Sequence, residues 1–164
     1  MDAGGYTWDA NEFALLLLRK QYPERTQGES FVIRAFLLEH LREFDRLTFS
    51  KRVGKGLTPD PSHPEKVRQN TTFSTQLRID ILGWRGRQPV IVEVKQRITP
   101  ATLGQILTYR HHLLEEFPDA LEPGLVAVGR EAVDDAVVVL QAHGVTVYLY
   151  PDATAGVSNA VVGE

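Results

Sequence analysis

The chain has 164 residues, 43% of them hydrophobic and 24% charged, and a net charge of −3; such a length holds one domain with a full core. It contains no cysteine, which excludes disulfides, zinc–thiolate sites and iron–sulfur clusters. The longest leucine-rich run, FALLLL, is too short for a spanning helix or a secretory core, so a cytoplasmic protein without a membrane partner is expected. The charge is uneven. Residues 1–111 carry 17 Lys and Arg against 12 acids, a net +5, while residues 112–164 carry one Arg against nine acids, a net −8. A basic half suits a polyanionic partner, and an uneven solvated surface accounts for it equally well.

Apolar residues at helical spacing predict a first helix over residues 7–20, ended by Pro23. This extension, residues 1–25, carries Trp8, Phe13 and the run Leu15 to Leu18. That is more apolar surface than one stripe needs, so a homodimer is one expectation and packing on the chain's own sheet is the other. The stretch TQGE, with Thr26 three residues before Glu29, is a capping-box pattern that opens a second helix running to about Glu43. Val32, Ile33, Phe36, His40 and Phe44 fall within about 60° of Glu29 on that helix, so Glu29 is expected to face the core.

RLTFSKRV alternates as a strand, and residues 54–70, rich in Gly, Pro and charge, read as a long mobile loop that orders on nucleic acid. Strands follow over residues 71–82 and 89–95. The sequence then predicts a helix from Thr99 or Pro100 to Phe117, a strand over 124–129, a helix over 131–143 and a strand over 144–150. Residues 26–151 form the expected domain, and residues 152–164 a flexible tail. The order α-α-β-β-β-α-β-α-β implies an α/β fold with a mixed sheet and helices on its faces.

The hairpin between the second and third strands is unusual. Gly86-Arg87 has the signature of a two-residue type II′ turn, which pairs Arg85 with Gln88. Counting outward sets Asp80 opposite Glu93, with Lys95 two residues further on the same face. Facing carboxylates repel, and a divalent metal is the economical compensation. A solvated salt-bridge cluster is the bland alternative; Glu29 and the helix carrying Gln105 and Tyr109 argue against it by covering that face. His111 and His112 point about 100° apart on a helix and are not expected to chelate as a pair.

An acid on an early helix (Glu29), an Asp in a strand (Asp80), Glu-x-Lys on the next strand (Glu93, Val94, Lys95) and Gln-x3-Tyr on the following helix (Gln105, Tyr109) stand in this order. The pattern resembles the PD-(D/E)xK nuclease superfamily, and Gln-x3-Tyr resembles its RecB-like branch. Ile79 stands where the name-giving Pro would be. The resemblance implies a restriction-endonuclease-like fold with an αβββαβ core, extended here by a further αβ unit. It also implies a metal-dependent endonuclease or exonuclease acting on DNA in repair, recombination, defence or phage DNA processing.

In such a site Asp80, Glu93 and the Val94 carbonyl offer hard oxygen ligands for Mg²⁺, with Mn²⁺ as a substitute, and Glu29 completes the shell directly or through water. Lys95, held cationic beside two acids, is expected to orient the hydroxide or stabilise developing charge rather than act as a free base. Gln105 and Tyr109 position Lys95 or bind phosphate. Lys51, Arg52, Lys55, Lys66, Arg68 and Arg97 are expected to contact DNA phosphates. A second reading keeps the fold without cleavage, as a nucleic-acid-binding or scaffold subunit of a larger DNA-processing complex. A third is a structural partner protein acting through its first helix. Without an appended reader, specificity is expected from loops, oligomerisation or a protein partner.

Overall fold

A computed structural model of the chain describes residues 5–153. The expected tail lies almost entirely outside them. Six strands form one sheet in the order of the sequence: β1 (Tyr6–Asp9), β2 (Arg46–Val53), β3 (Leu77–Arg85), β4 (Gln88–Ile98), β5 (Gly124–Ala132) and β6 (Val145–Leu149). The first four pair antiparallel, and β4, β5 and β6 pair parallel. The helices are α1 (Phe13–Leu17), α2 (Gln27–His40), α3 (Glu65–Thr75), α4 (Ala101–Glu116) and α5 (Asp134–Ala142). The mixed α/β fold is therefore the expected one, with the αβββαβ order running from α2 to β5 and α5–β6 appended. No helix among the described residues is long and apolar enough to cross a membrane.

Each face of the sheet is covered for a reason visible in the strand alternation. Val90, Val92 and Val94 of β4 turn to one side and pack with Val32, Ile33, Phe36 and Leu37 of α2. On the other side Leu82 and Ile91 meet Tyr109 and Leu113 of α4, while Ala127 of β5 meets Ile106 of α4 and Ala136 and Leu140 of α5. The sheet is thus buried on both faces at its parallel end, as parallel pairing requires. Gly83 of β3 allows close approach on the α2 side, since a Cβ there would lie 2.5 Å from ring carbons of Phe44.

Two expected elements differ. Residues 7–20 are not one helix: Thr7 and Trp8 pair with Thr48 and Leu47 of β2, a 3-10 turn capped by Asp9 follows, and α1 is only five residues long. The unpaired edge of β2 captures this segment, a tertiary effect that helical spacing cannot register. Of its apolar residues Phe13 and Leu16 enter the core, whereas Leu15 and Leu18 stay exposed. The second difference is α3, which occupies the end of the expected loop and the start of the expected strand. None of its residues is buried, so it lacks the apolar stripe by which helices are recognised.

Candidate active site

The hairpin register is as expected. Arg85 pairs with Gln88, and the ladder runs through Trp84–Pro89, Gly83–Val90 and Leu82–Ile91 to Ile81–Val92. Gly86 takes φ +58° and Arg87 is not among the positive-φ residues, which fits the type II′ turn. The ladder stops one step before Asp80 and Glu93, where the Asp80 side chain intervenes: its Oδ2 accepts the Val94 N–H at 2.8 Å. On the other flank Ser50 of β2 has a left-handed backbone, φ +55°, and falls in a gap between the Phe49–Ile81 and Lys51–Ile79 pairs. The sheet therefore opens on both sides of Asp80.

The carboxylates are deeply placed. Asp80 is 4% exposed and Glu93 1%. Lys95 Nζ lies 2.7 Å from Glu93 Oε1, while Glu93 Oε2 is buried without a partner. Burial, reinforced by the neighbouring Asp80 charge, pushes the Glu93 carboxyl up to about 8 from its ordinary 4.5, against the pull of Lys95. Asp80 is also raised, by burial, although Arg25, the Val94 N–H and Lys95 oppose the shift. Tyr109 is buried on α4, and its phenol is raised by burial and then by Glu93 and Asp80. This places it beside the acids, as expected.

Arg25 was not among the expected residues. It precedes α2, is 6% exposed, and its Nη1 pairs with Asp80 Oδ1, while its Nε and Nη2 are buried without partners. Its position in a Pro-broken connection, 55 residues from its partner, carried no signal in the sequence. Glu29 also differs from expectation. It is half-buried rather than core-facing, and it closes the predicted capping box. Its Oε2 accepts the Thr26 N–H at 2.9 Å and the Thr26 hydroxyl at 3.0 Å. Its charge nonetheless reaches Asp80. Gln105 is exposed, and the ion pair of Lys95 is with Glu93 rather than with α4.

The expected phosphate contacts are mostly engaged within the chain. Lys51 pairs with Glu116 at 2.6 Å and Arg97 with Glu131 at 3.7 Å; Arg68 pairs with Glu65. Arg52 lies 3.8 Å from Glu24 and stacks over Phe73 at 4.0 Å. Lys55 and Lys66 are exposed. His111 and His112 require a correction. Their rings lie 5.2 Å apart, and both approach Glu115. The 100° between adjacent positions is bridged because Glu115 stands four residues from one histidine and three from the other, both facing separations on a helix.

The donor set fits a hard divalent cation. Two buried carboxylates on neighbouring strands, one oxygen orphaned, and the charge of a third acid, Glu29, reaching Asp80 make the oxygen-rich environment that Mg²⁺ or Mn²⁺ takes. A measurable consequence follows for the metal-free protein. Folding takes up a proton on Glu93 between its unfolded and folded pKa values, so this stability is full below about pH 4.5 and declines as pH rises through about 8. Thermal melts should therefore show a falling midpoint from pH 5 to 8 in chelator, and saturating Mn²⁺ should raise it more at pH 8 than at pH 5. A melting midpoint that rises with pH in chelator would contradict the buried, proton-holding Glu93.

No family model matches the chain, and no curated protein matches it. Among solved structures it is similar to a repair endonuclease from Pyrococcus abyssi, with 17% identity and a TM-score of 0.41 over 79% of this chain and 49% of that one. The chain thus spans about half the length of that protein.

Proposed function

We propose that the chain is a metal-dependent nuclease that hydrolyses DNA phosphodiester bonds at the Asp80–Glu93–Lys95 cluster. The observation that carries this reading is a pair of almost fully buried carboxylates on neighbouring strands, Asp80 and Glu93, with Glu93 Oε2 orphaned. A folding role alone gives no return on that arrangement, because like charges in a buried site repel and lose hydration. Asp80, Glu93 and the Val94 carbonyl, with Glu29 directly or through water, would hold Mg²⁺ or Mn²⁺, which would supply Lewis acidity for activating a water and neutralising phosphate charge.

The chain's own groups do the rest. Lys95, anchored by Glu93 on β4, presents an ammonium where charge develops on the phosphate. Arg25 holds Asp80 in one orientation and directs two further buried donors, Nε and Nη2, into the same region. Tyr109 closes the α4 side. A hollow of about 370 Å³ lined by Arg46, Thr48, Leu82, Trp84, Phe117 and the Lys51–Glu116 pair lies along the same face of β3.

A second reading, a nucleic-acid-binding subunit without cleavage, draws on one observation: both Asp80 oxygens are already engaged, one by Arg25 and one by the Val94 N–H. A carboxylate has about four lone-pair sites, so this occupancy leaves room for a metal. Incubation with duplex, single-stranded, flap and four-way-junction DNA in Mg²⁺ or Mn²⁺ decides between them. The nuclease reading expects cleavage of at least one substrate that chelator abolishes. Binding without cleavage on every substrate would favour the second.

A further inference from the structure

A second cluster of ligating side chains stands apart from the acids, on the exposed side of α4. His111, His112 and Glu115 bring one imidazole nitrogen each and a carboxylate oxygen within 4.8 Å of one another, and no other group of three or more His, Cys, Asp or Glu converges in this way among the described residues. His111 Nε2 lies 3.7 Å from Glu115 Oε1, and His112 Nδ1 lies 3.1 Å from Glu115 Oε2. Tetrahedral Zn²⁺ with bonds of about 2.0–2.1 Å spaces its ligand atoms about 3.3 Å apart. The two distances, to the two oxygens of Glu115, lie on either side of that value, and all three ligand atoms lie within 4.8 Å of one another.

The surroundings favour a site over a chance surface cluster. All three residues line a hollow of about 460 Å³ together with Val53, Lys55 and Leu57. Gly54, at φ +76°, turns the backbone after β2 through a left-handed conformation in the neighbourhood of the His112 ring. We propose that His111, His112 and Glu115 bind a Zn²⁺ ion, separate from the oxygen-ligated site, with a fourth position open to water or an anionic oxygen on the Lys55 side. Two imidazoles and one carboxylate select Zn²⁺ or Co²⁺ over Mg²⁺, because nitrogen donors are poor ligands for the harder ion. The site joins α4, which carries Tyr109, to the segment after β2, and it is independent of whether the chain cleaves DNA.

Co²⁺ titration of the full chain, followed by visible absorption, tests this, with Zn²⁺ calorimetry beside it. The expected result is one four-coordinate ion per chain, identified by its intense absorption, in the Glu93→Ala chain, where the acid site can no longer respond. The variants His111→Ala, His112→Ala and Glu115→Gln should each weaken binding tenfold or more, whereas Glu93→Ala should leave this affinity as in the unaltered chain. Circular dichroism checks that these surface variants remain folded. The proposal is overturned if no ion binds, if the His111→Ala, His112→Ala double variant binds as well as the unaltered chain, or if Glu93→Ala alone removes the site.

Discussion

Glu93→Ala is expected to abolish both Mn²⁺ binding and DNA cleavage, whereas Lys95→Ala should keep Mn²⁺ binding and lose cleavage by about two orders of magnitude or more. The two residues share one face of β4 and one ion pair, yet their chemistry differs. Removing the Glu93 carboxylate takes a ligand from the metal and also removes a buried acid that feels the Asp80 charge, so the fold should be as stable as before or more so. Removing the Lys95 ammonium takes a cation from beside the ligands, so the metal should bind as well or better. Calorimetry in Mn²⁺ with single-turnover cleavage on the same preparations separates the two effects. Equal loss of metal binding in both variants would mean that Lys95 organises the ligands rather than the reaction.

Arg25→Ala should destabilise the metal-free protein by about 3–5 kcal/mol, the usual cost of breaking a buried ion pair from one side. Arg25 is the principal cation opposing the burial of Asp80, and both partners are almost fully enclosed. Bound Mn²⁺ should recover part of the loss, because it places positive charge against the same carboxylate. Adding Asp80→Asn to Arg25→Ala should also recover stability by removing the orphaned charge. Urea denaturation of the unaltered chain, Arg25→Ala, Asp80→Asn and the double variant, with and without Mn²⁺, reads these effects. A loss below about 1 kcal/mol for Arg25→Ala, the range of an exposed pair, would show that the pair is open to water.

The parts of the site that were legible are those written in local spacing. The Gly86-Arg87 turn and the alternation of β3 and β4 determine which residues face each other, and the structure follows that count to Ile81–Val92. The Thr26–Glu29 capping box is equally local and is present. What escaped depends on distant partners. Arg25 acquires its role only when β3 arrives beside it, and the Asp80–Val94 hydrogen bond replaces a rung that alternation would have continued. Thr7 and Trp8 have helical spacing but meet an open strand edge. The approach of His111 and His112 to Glu115 follows from its i+4 and i+3 spacing, which a comparison of the two histidines alone leaves out.

The central claim, that Asp80 and Glu93 are drawn together to hold a divalent cation, is tested most directly by Mn²⁺ calorimetry near pH 7.5. The titration is run on the chain with His111, His112 and Glu115 replaced, so that only the acid site can respond. One Mn²⁺ per chain, lost on Glu93→Ala or Asp80→Asn, is the predicted result. Absence of Mn²⁺ binding, or binding that survives both substitutions, would contradict it.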